Sequence, residues 1–376
     1  MLYCLPLLTP YLIWRSLLNK YPACIGTNEY LYGYARCALE DAYRLIGLKP
    51  KDIILYPDYI CEVAVNPCRN IGLKIEYYPV DDTMEPDWDK VEYLLKRGAK
   101  AILTVNYFGF PQKMHQWRKI TDKFKVWWIE DNAHGYGGKY DGIPLGKWGD
   151  VSVSSMRKVL PLLSGALLSI NNSRLQCSEF ASKLSNGDAR KKLHKEECLR
   201  GLGYLLRDIG IPYNKYRNVP IIAESFSNYE SRRPKEIDVL SLHLLPYLLN
   251  DIQKLNIARQ NIFKAWYTFS EKNNLSPVFR DLPSETSPFV FPCYTNSFES
   301  RQKWLRWGRK NGIEVYPWPN LPADVLRNNE VAVRRLKHIL CFPIHQDMRA
   351  ENILELPSLG DNLTILNKIF SKFKVG

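Results

Sequence analysis

Short apolar runs alternate along the chain with longer segments in which apolar residues recur every three or four positions, from Tyr30 onward. Continuous short runs are typical of buried strands, and the longer period is typical of amphipathic helices. The pattern predicts helices at 36–46, 60–71, 88–97 and 114–124, and strands at 53–56, 74–78, 101–105 and 126–130. Such strand–helix alternation indicates βαβ units and a mainly parallel sheet.

The pattern changes after Asp131, where two glycine-rich loops precede a strand at 150–155 and its antiparallel partner at 166–170. The stretches from 175 to about 206 and from 234 to 269 are predicted to be helical. Farther on, the pattern predicts strands at 289–292 and 313–316 and helices at 299–310 and 351–373. We therefore predict an α/β fold with three parts: an N-terminal arm over 1–29, a large domain with a mixed, mainly parallel sheet over 30–250, and a smaller C-terminal α+β domain over 251–376.

Active sites in sheets of this class lie at the carboxyl ends of the strands. That rule selects three segments, at 57–61, 106–110 and 131–134. In the last of them, Asp131 is expected just past the end of a buried strand, with His134 three residues later. An aspartate there is also a common turn residue, and this segment alone does not separate the two interpretations.

Two other segments supply an arginine, a serine and a lysine that could act together with that carboxylate. Residues 33–36 enter a helix through a small-residue turn that carries Arg36, and a hydroxyl-rich strand ends near Ser155 and Lys158. A helix N-terminus with an added arginine and serine hydroxyls is a good site for an anion. An acid, a phosphate-sized cradle and a lysine together indicate pyridoxal phosphate, whose ring nitrogen, phosphate and aldehyde need these three partners.

Composition narrows the class of protein further. The chain has 376 residues, a formal net charge of +13, 45% apolar residues and 24% charged residues, which fits a folded chain. Its basic patches, at 190–192 and 232–235, are short, so we expect no nucleic-acid partner. Nine cysteines without a CxxC pair argue against a disulfide framework or a structural zinc site. The histidines lack metal-ligand spacing with one another, and we predict no metal.

The first 18 residues are apolar but contain Pro6, Pro10 and Arg15. They lack the features of a secretion signal and are too short and too interrupted to span a bilayer. We interpret them as an arm that packs on the body of the protein or on a partner subunit, with a membrane contact as the weaker alternative. A cytoplasmic location fits the cysteine usage best.

The order of these segments resembles the DegT/DnrJ/EryC1/StrS family of sugar aminotransferases, which are fold-type-I enzymes. The resemblance is strongest between Tyr30 and Asn171, and a weaker match follows at 341–345. The segments that carry it are Arg36-Cys37-Ala38-Leu39, Asn106-Tyr107-Phe108-Gly109, Ile129-Glu130-Asp131-Asn132-Ala133-His134 and Gly149-Asp150-Val151.

The resemblance implies an aminotransferase that depends on pyridoxal phosphate. It would move an amino group, from a donor such as glutamate, to a keto sugar carried on a nucleotide, in the synthesis of a polysaccharide, glycan or antibiotic sugar. It implies a homodimer with its active site at the subunit interface. By this analogy, the site residues are Asp131 at the ring nitrogen, His134 near the ring hydroxyl, Ser155, Ala35 and Arg36 at the phosphate, and Arg233 donated by the second subunit.

Two positions depart from the family pattern. The family usually places its Schiff-base lysine five residues after the conserved serine, where this chain has Leu160; the available lysine is Lys158. The aromatic residue that usually stacks on the cofactor ring is replaced by Cys61, with Tyr59 or Tyr107 as alternative stacking residues.

Three hypotheses therefore stay open. In the first, which we favour, Lys158 forms the Schiff base and the chain is an aminotransferase. In the second, the chain is a cofactor-binding sugar dehydratase that uses His134 as its base. In the third, it is a noncatalytic subunit for binding or assembly, which could be a lipid-associated scaffold that uses the basic charge and the apolar arm.

Overall fold

The computed structural model describes residues 6, 8–18, 26–175 and 236–359. The helix predicted at 175–206, both basic patches and Arg233 lie outside the described residues. Within these ranges, most of the secondary structure follows the hydrophobic pattern, because strands at the centre of the main sheet, such as Ala101–Val105, are buried along their whole length.

The main sheet has seven strands in the order β1-β9-β8-β5-β4-β2-β3. Neighbours from β8 to β3 run parallel, whereas β9 is antiparallel to both β8 and β1. The predicted mixed, mainly parallel sheet is thus confirmed. Its strands are β1 (Glu29–Tyr32), β2 (Ile53–Pro57), β3 (Lys74–Tyr78), β4 (Ala101–Val105), β5 (Trp127–Asn132), β8 (Val151–Ser154) and β9 (Ala166–Ile170).

Helices connect the parallel strands, and a two-stranded hairpin follows β5. The helices of this part are α1 (Pro10–Leu18), α2 (Ala35–Leu45), α3 (Glu62–Ile71), α4 (Trp88–Lys96) and α5 (Met114–Phe124), and the hairpin strands are β6 (Lys139–Tyr140) and β7 (Ile143–Pro144). Local signals set several helix ends: the Asp87 side chain accepts a hydrogen bond from the Lys90 N–H at the start of α4, and Gly72 ends α3 in the left-handed region.

The C-terminal part contains a second sheet of three antiparallel strands in the order β10-β11-β12. These strands are β10 (Ser276–Pro277), β11 (Val290–Tyr294) and β12 (Ile339–Pro343). The helices around them are α6 (Val239–Leu249), α7 (Ile252–Lys272), α8 (Phe298–Lys310), α9 (Ala323–Asn328), α10 (Glu330–His338) and α11 (Ala350–Leu354).

Several predicted elements of the C-terminal part were wrong. Within the stretch 234–269, the described residues form two helices, α6 and α7, which are separated at Asn250 and Asp251. The predicted strand at 313–316 contributes only one bridge, between Tyr316 and Cys341. The helix predicted at 351–373 ends at Leu354 within the described residues. The pattern also did not predict β1 and β12.

A second apolar cluster lies beside the main core. It is built around Leu160, Leu162 and Leu163, after β8, and the buried face of α6. Leu8 of the N-terminal arm is buried in the same cluster, and Leu12 and Ile13 of α1 pack against it. The described part of the arm therefore packs on the body of the protein. No helix in the described ranges is long and apolar enough to cross a membrane.

Candidate active site

Four neighbouring strands of the main sheet deliver polar and aromatic side chains to one edge. Because β2, β4, β5 and β8 run parallel, their carboxyl ends meet at the same edge. The residues carried there are Cys61 after β2, Phe108 after β4, Asp131 and His134 at the end of β5, and Ser155 and Lys158 after β8.

Asp131 lies within β5 rather than beyond it, which corrects the expected strand end. It is paired in register with Val105 on one side and Val153 on the other, and only 7% of it is exposed. Burial therefore raises the pKa of Asp131, whereas a hydrogen bond from the Ala133 N–H (2.9 Å) and the charge of Lys158 oppose that rise. A carboxylate in this setting favours a cationic partner.

Lys158 ends a short 3-10 turn, Met156–Lys158, that follows β8. Its backbone N–H donates to the Ser155 carbonyl (3.0 Å), and its half-buried side chain brings Nζ to 5.5 Å from the centroid of the Phe289 ring. Burial lowers the pKa of Lys158 to about 8; Asp131 opposes this shift and Arg157 adds to it. The uncharged amine is thus far more populated near neutral pH than it is in an ordinary lysine, and this form can act as a nucleophile or base.

Leu160, at the position where the family usually has its lysine, points elsewhere. Its side chain is fully buried in the second apolar cluster, together with Met156 and Leu244. A charged side chain at this position would have to be desolvated in an apolar core. The 3-10 turn therefore separates Lys158, which acts electrostatically on Asp131, from Leu160, which fills the core.

His134 is held in one orientation by its surroundings. The Phe108 N–H donates to Nδ1 (3.2 Å), and the imidazole stacks with Phe289 (4.9 Å) and Phe108 (6.0 Å) while Trp318 meets it edge-on (5.1 Å). Burial, reinforced by the charge of Lys158, holds the pKa of His134 well below its ordinary value. Since Nδ1 accepts a hydrogen bond, the neutral ring carries its proton on Nε2 and is a donor there.

An unusual turn produces the contact between Phe108 and His134. Phe108 has φ 55° and Gly109 has φ 96°, so both occupy the left-handed region. This turn aims the Phe108 N–H at His134 and its carbonyl at the Phe289 N–H (2.7 Å). A bulky residue with positive φ is strained, and such strain persists where the surrounding structure enforces it.

The predicted phosphate cradle lies at the start of α2. Tyr34 precedes this helix in an extended conformation and makes no side-chain capping hydrogen bond. The guanidinium carbon of Arg36 lies 4.9 Å from the centroid of the Tyr34 ring, and that of Arg157 lies 5.5 Å from the same centroid. Ser155 is buried and directly precedes the 3-10 turn that ends at Lys158. Two guanidinium groups thus lie beside the start of a helix, a combination that favours an anion.

Cys61 is partly buried and precedes α3. Burial raises the pKa of its thiol, Lys158 lowers it and Asp131 raises it, so the thiol lies within electrostatic range of both. The alternative stacking residues, Tyr59 and Tyr107, are fully buried, and their hydroxyls donate to the carbonyls of Trp318 (2.6 Å) and Tyr59 (2.7 Å). This burial argues against either ring as a stacking residue.

Sequence reasoning selected the segment that contains Phe108 but did not identify Phe289 as part of this site. The segment from Phe108 to Pro111 predicted a turn, but nothing in it indicated the positive φ of a phenylalanine. Phe289 comes from the C-terminal part of the chain, and a backbone hydrogen bond to Phe108 and the stacking on His134 bring it to the site.

The fold resembles those of solved proteins of known class. The aminotransferase PseC of Helicobacter pylori, which is involved in the biosynthesis of pseudoaminic acid, superimposes with a TM-score of 0.68 at 15% identity, over 93% of this chain and 96% of that one. A GDP-4-keto-6-deoxymannose-3-dehydratase with a trapped PLP–glutamate geminal diamine superimposes with a TM-score of 0.64 at 16% identity, over 93% and 92%. The fold is that of the pyridoxal-phosphate-dependent aminotransferases.

Sequence comparison points to the same class of protein. Residues 34–207 match the profile of the DegT/DnrJ/EryC1/StrS aminotransferase family. GDP-perosamine synthase of Escherichia coli O157:H7 is 23% identical over 313 residues, which cover 76% of this chain and 79% of that protein. The chain is therefore similar, at low identity, to members of the DegT/DnrJ/EryC1/StrS family.

Proposed function

We propose that this protein is a pyridoxal-phosphate-dependent aminotransferase that uses Lys158 as its cofactor-linked base. The observation that carries the proposal is the position of the two groups at the carboxyl ends of adjacent parallel strands, Asp131 in β5 and Lys158 in the turn after β8, where the charge of each shifts the pKa of the other. A lysine with a lowered pKa beside a buried acid, at the carboxyl edge of the sheet, is the arrangement that this chemistry requires.

The residues present fit the cofactor. When bound, pyridoxal phosphate supplies an electron sink that stabilises negative charge on the substrate carbon. Asp131 would lie at the ring nitrogen, because a buried carboxylate that lacks full solvation gains most from a cationic N–H partner. Ala35, Arg36 and Ser155 would hold the phosphate, and Cys61 would lie against the ring in place of an aromatic side chain.

Lys158 would move the proton between the substrate carbon and the cofactor. Its amine can serve as base near neutral pH because burial has already lowered its pKa to about 8. The charge of Asp131 opposes the lowering of the pKa of Lys158, and Nζ lies over the ring of Phe289. His134, as a neutral donor at Nε2, would hold the ring hydroxyl.

The protonation of His134 bears on the dehydratase hypothesis. A base needs an unprotonated nitrogen that faces the substrate, but Nδ1 of His134 accepts the Phe108 N–H and Nε2 carries the proton. The ring is also enclosed by Phe108, Phe289 and Trp318. These contacts favour an aminotransferase that uses Lys158 over a dehydratase that uses His134.

On family grounds, we further propose that the acceptor is a nucleotide-linked keto sugar and that the donor is an amino acid such as glutamate. The large domain would span 30–250 and the small domain 251–376. The working form would be a cytoplasmic homodimer, in which Arg233 of the second subunit completes the site.

The test compares Lys158→Ala with Lys272→Ala, which removes an exposed lysine at the end of α7. After incubation with pyridoxal phosphate and reduction with borohydride, mass spectrometry should find the cofactor on the peptide that contains Lys158 in the native chain and in Lys272→Ala. Lys158→Ala should lose this adduct and at least about 1,000-fold of the transfer rate from glutamate to GDP- or dTDP-linked keto sugars. Turnover by Lys158→Ala at the native rate would refute the proposed role.

Lys158 should also show its lowered pKa in solution. Adduct formation with pyridoxal needs the uncharged amine, so its rate should rise with pH around a midpoint near 8 and level off above it. An unperturbed lysine would instead give a midpoint of about 10.4. A midpoint at the ordinary value would contradict the buried site.

A further inference from the structure

Two arginine side chains converge on one aromatic ring beside the candidate active site. The guanidinium carbons of Arg36 and Arg157 lie 4.9 Å and 5.5 Å from the centroid of Tyr34, which is itself almost fully buried. Backbone hydrogen bonds join the two segments: the Gly165 N–H donates to Gly33 (2.9 Å) and the Arg157 N–H donates to Gly165 (3.3 Å). The start of α2 and the lysine turn are therefore neighbours.

The cluster has the chemistry of a phosphate site. Guanidinium groups are planar forks that bind phosphate oxygens in pairs, and each can stack on an aromatic face while it does so. The same segment begins α2, where Tyr34 makes no side-chain capping hydrogen bond, and the first N–H groups of a helix favour an anion. Two guanidinium charges match the charge of about −2 that a phosphate monoester carries near neutral pH.

The position of Arg157 next to Lys158 matches the shape of the cofactor. In pyridoxal phosphate, the aldehyde and the phosphate-bearing methylene are attached to neighbouring ring carbons. A protein that holds the aldehyde at Lys158 therefore needs its phosphate ligands close to that lysine. Arg157 is adjacent in sequence, and its charge already reaches the amine, because it helps to lower the pKa of Lys158.

We propose that Arg157 binds the phosphate of the cofactor together with Arg36, while both guanidinium groups stay packed on the ring of Tyr34. The inference rests on the proposed function. The diphosphate of a nucleotide-linked substrate offers the same chemistry, and the experiment separates these two sources.

The experiment titrates the purified chain with pyridoxal phosphate and, separately, with pyridoxal, which lacks the phosphate. Arg157→Gln should weaken binding of pyridoxal phosphate by about 10- to 100-fold and binding of pyridoxal much less, by the small change that follows from a higher pKa of Lys158. Arg157→Lys should recover part of the loss, because it restores the charge without the fork. The matched control is Arg174→Gln, which removes an exposed arginine and should change neither affinity.

Two further arms identify the source of the phosphate. Inorganic phosphate, measured by calorimetry, should bind the native chain and lose affinity in Arg157→Gln, whether or not the chain is an aminotransferase. If Arg157→Gln instead weakens binding of GDP or dTDP and leaves pyridoxal phosphate unaffected, the cluster serves the substrate and the proposal is wrong. Equal binding of all these probes by native and variant chains would also overturn it. Failure of the native chain to bind pyridoxal phosphate would refute the proposed function separately.

Discussion

Gly109 illustrates how one residue without a side chain determines the shape of the site. It lies in the left-handed region at φ 96°, directly after the strained Phe108. A Cβ atom there would lie 2.0 Å from the Ser287 carbonyl oxygen, which is backbone and cannot rotate away. Glycine at this position therefore allows the turn after β4 to approach the C-terminal part of the chain closely enough for Phe108 to bond Phe289.

Gly109→Ala should destabilise the chain far more than Gly98→Ala. The two glycines share nearly the same φ, 96° and 94°, but nothing lies within 4 Å of a Cβ atom at Gly98. Gly98→Ala should thus cost only the backbone penalty of about 1–2 kcal/mol. Gly109→Ala should cost at least about 2 kcal/mol more, measured by urea unfolding. Equal losses would show that the approach to Ser287 is not a tight contact.

The segment that follows the lysine turn is anchored to the start of α6. The Asp238 side chain caps that helix by accepting the Ser241 N–H (2.8 Å), and its other oxygen accepts both the N–H (3.0 Å) and the hydroxyl (2.6 Å) of Ser164. The Ser241 hydroxyl in turn accepts the Leu163 N–H (3.0 Å). The cap of α6 thus holds Ser164, which lies 74 residues earlier in the sequence and shortly after Lys158.

Asp238→Ala should therefore have two consequences. It removes a cap and two buried hydrogen bonds, so the free energy of unfolding should fall by about 2–4 kcal/mol. It should also weaken binding of pyridoxal phosphate, because Ser164 no longer fixes the segment after Lys158. The control is Ser297→Ala, which removes the exposed cap of α8 and should cost only about 1 kcal/mol, with unchanged cofactor affinity. Unchanged affinity in Asp238→Ala would disconnect the cap from the site.

At the scale of the whole molecule, the C-terminal part docks on the edge of the main sheet that carries the site. Trp318 contacts Phe108, His134 and Tyr107, and its carbonyl accepts the Tyr59 hydroxyl. A polar contact region surrounds it: Arg335 donates to the Val80 carbonyl (2.8 Å) and pairs with Asp82 (3.1 Å). The environment of His134 therefore depends on this docking.

Trp318→Ala should loosen both the docking and His134. The lost packing should cost about 2–4 kcal/mol, and water admitted beside the imidazole should raise the pKa of His134 toward its ordinary value. NMR titration of histidine-labelled protein measures this pKa. Tyr93→Ala, which truncates an exposed ring on α4, should change neither quantity by much. A His134 resonance that titrates identically in Trp318→Ala and the native chain would contradict the role of Trp318.

Much of the fold and part of the site could be predicted from local patterns. The strands β2 to β5 and the helices between them are continuous or periodic in their apolar residues, and Asp131 and Lys158 follow at the ends of such strands. The locations of Leu160 and Phe289 could not be predicted in this way. Leu160 occupies the sequence position where the family usually has its lysine. Its burial depends on contacts with α6, which the sequence pattern does not reveal.

The sequence by itself determined the parallel sheet and the chemical groups at its carboxyl edge, because hydrophobic periodicity is local and each buried strand must end in a loop. Only the tertiary structure decided which lysine interacts electrostatically with Asp131 and which nitrogen of His134 carries the proton. It also decided which two arginines lie against the ring of Tyr34. These outcomes depend on contacts between segments far apart in the chain, such as Phe108 with Phe289 and Asp238 with Ser164, and on the burial that those contacts create.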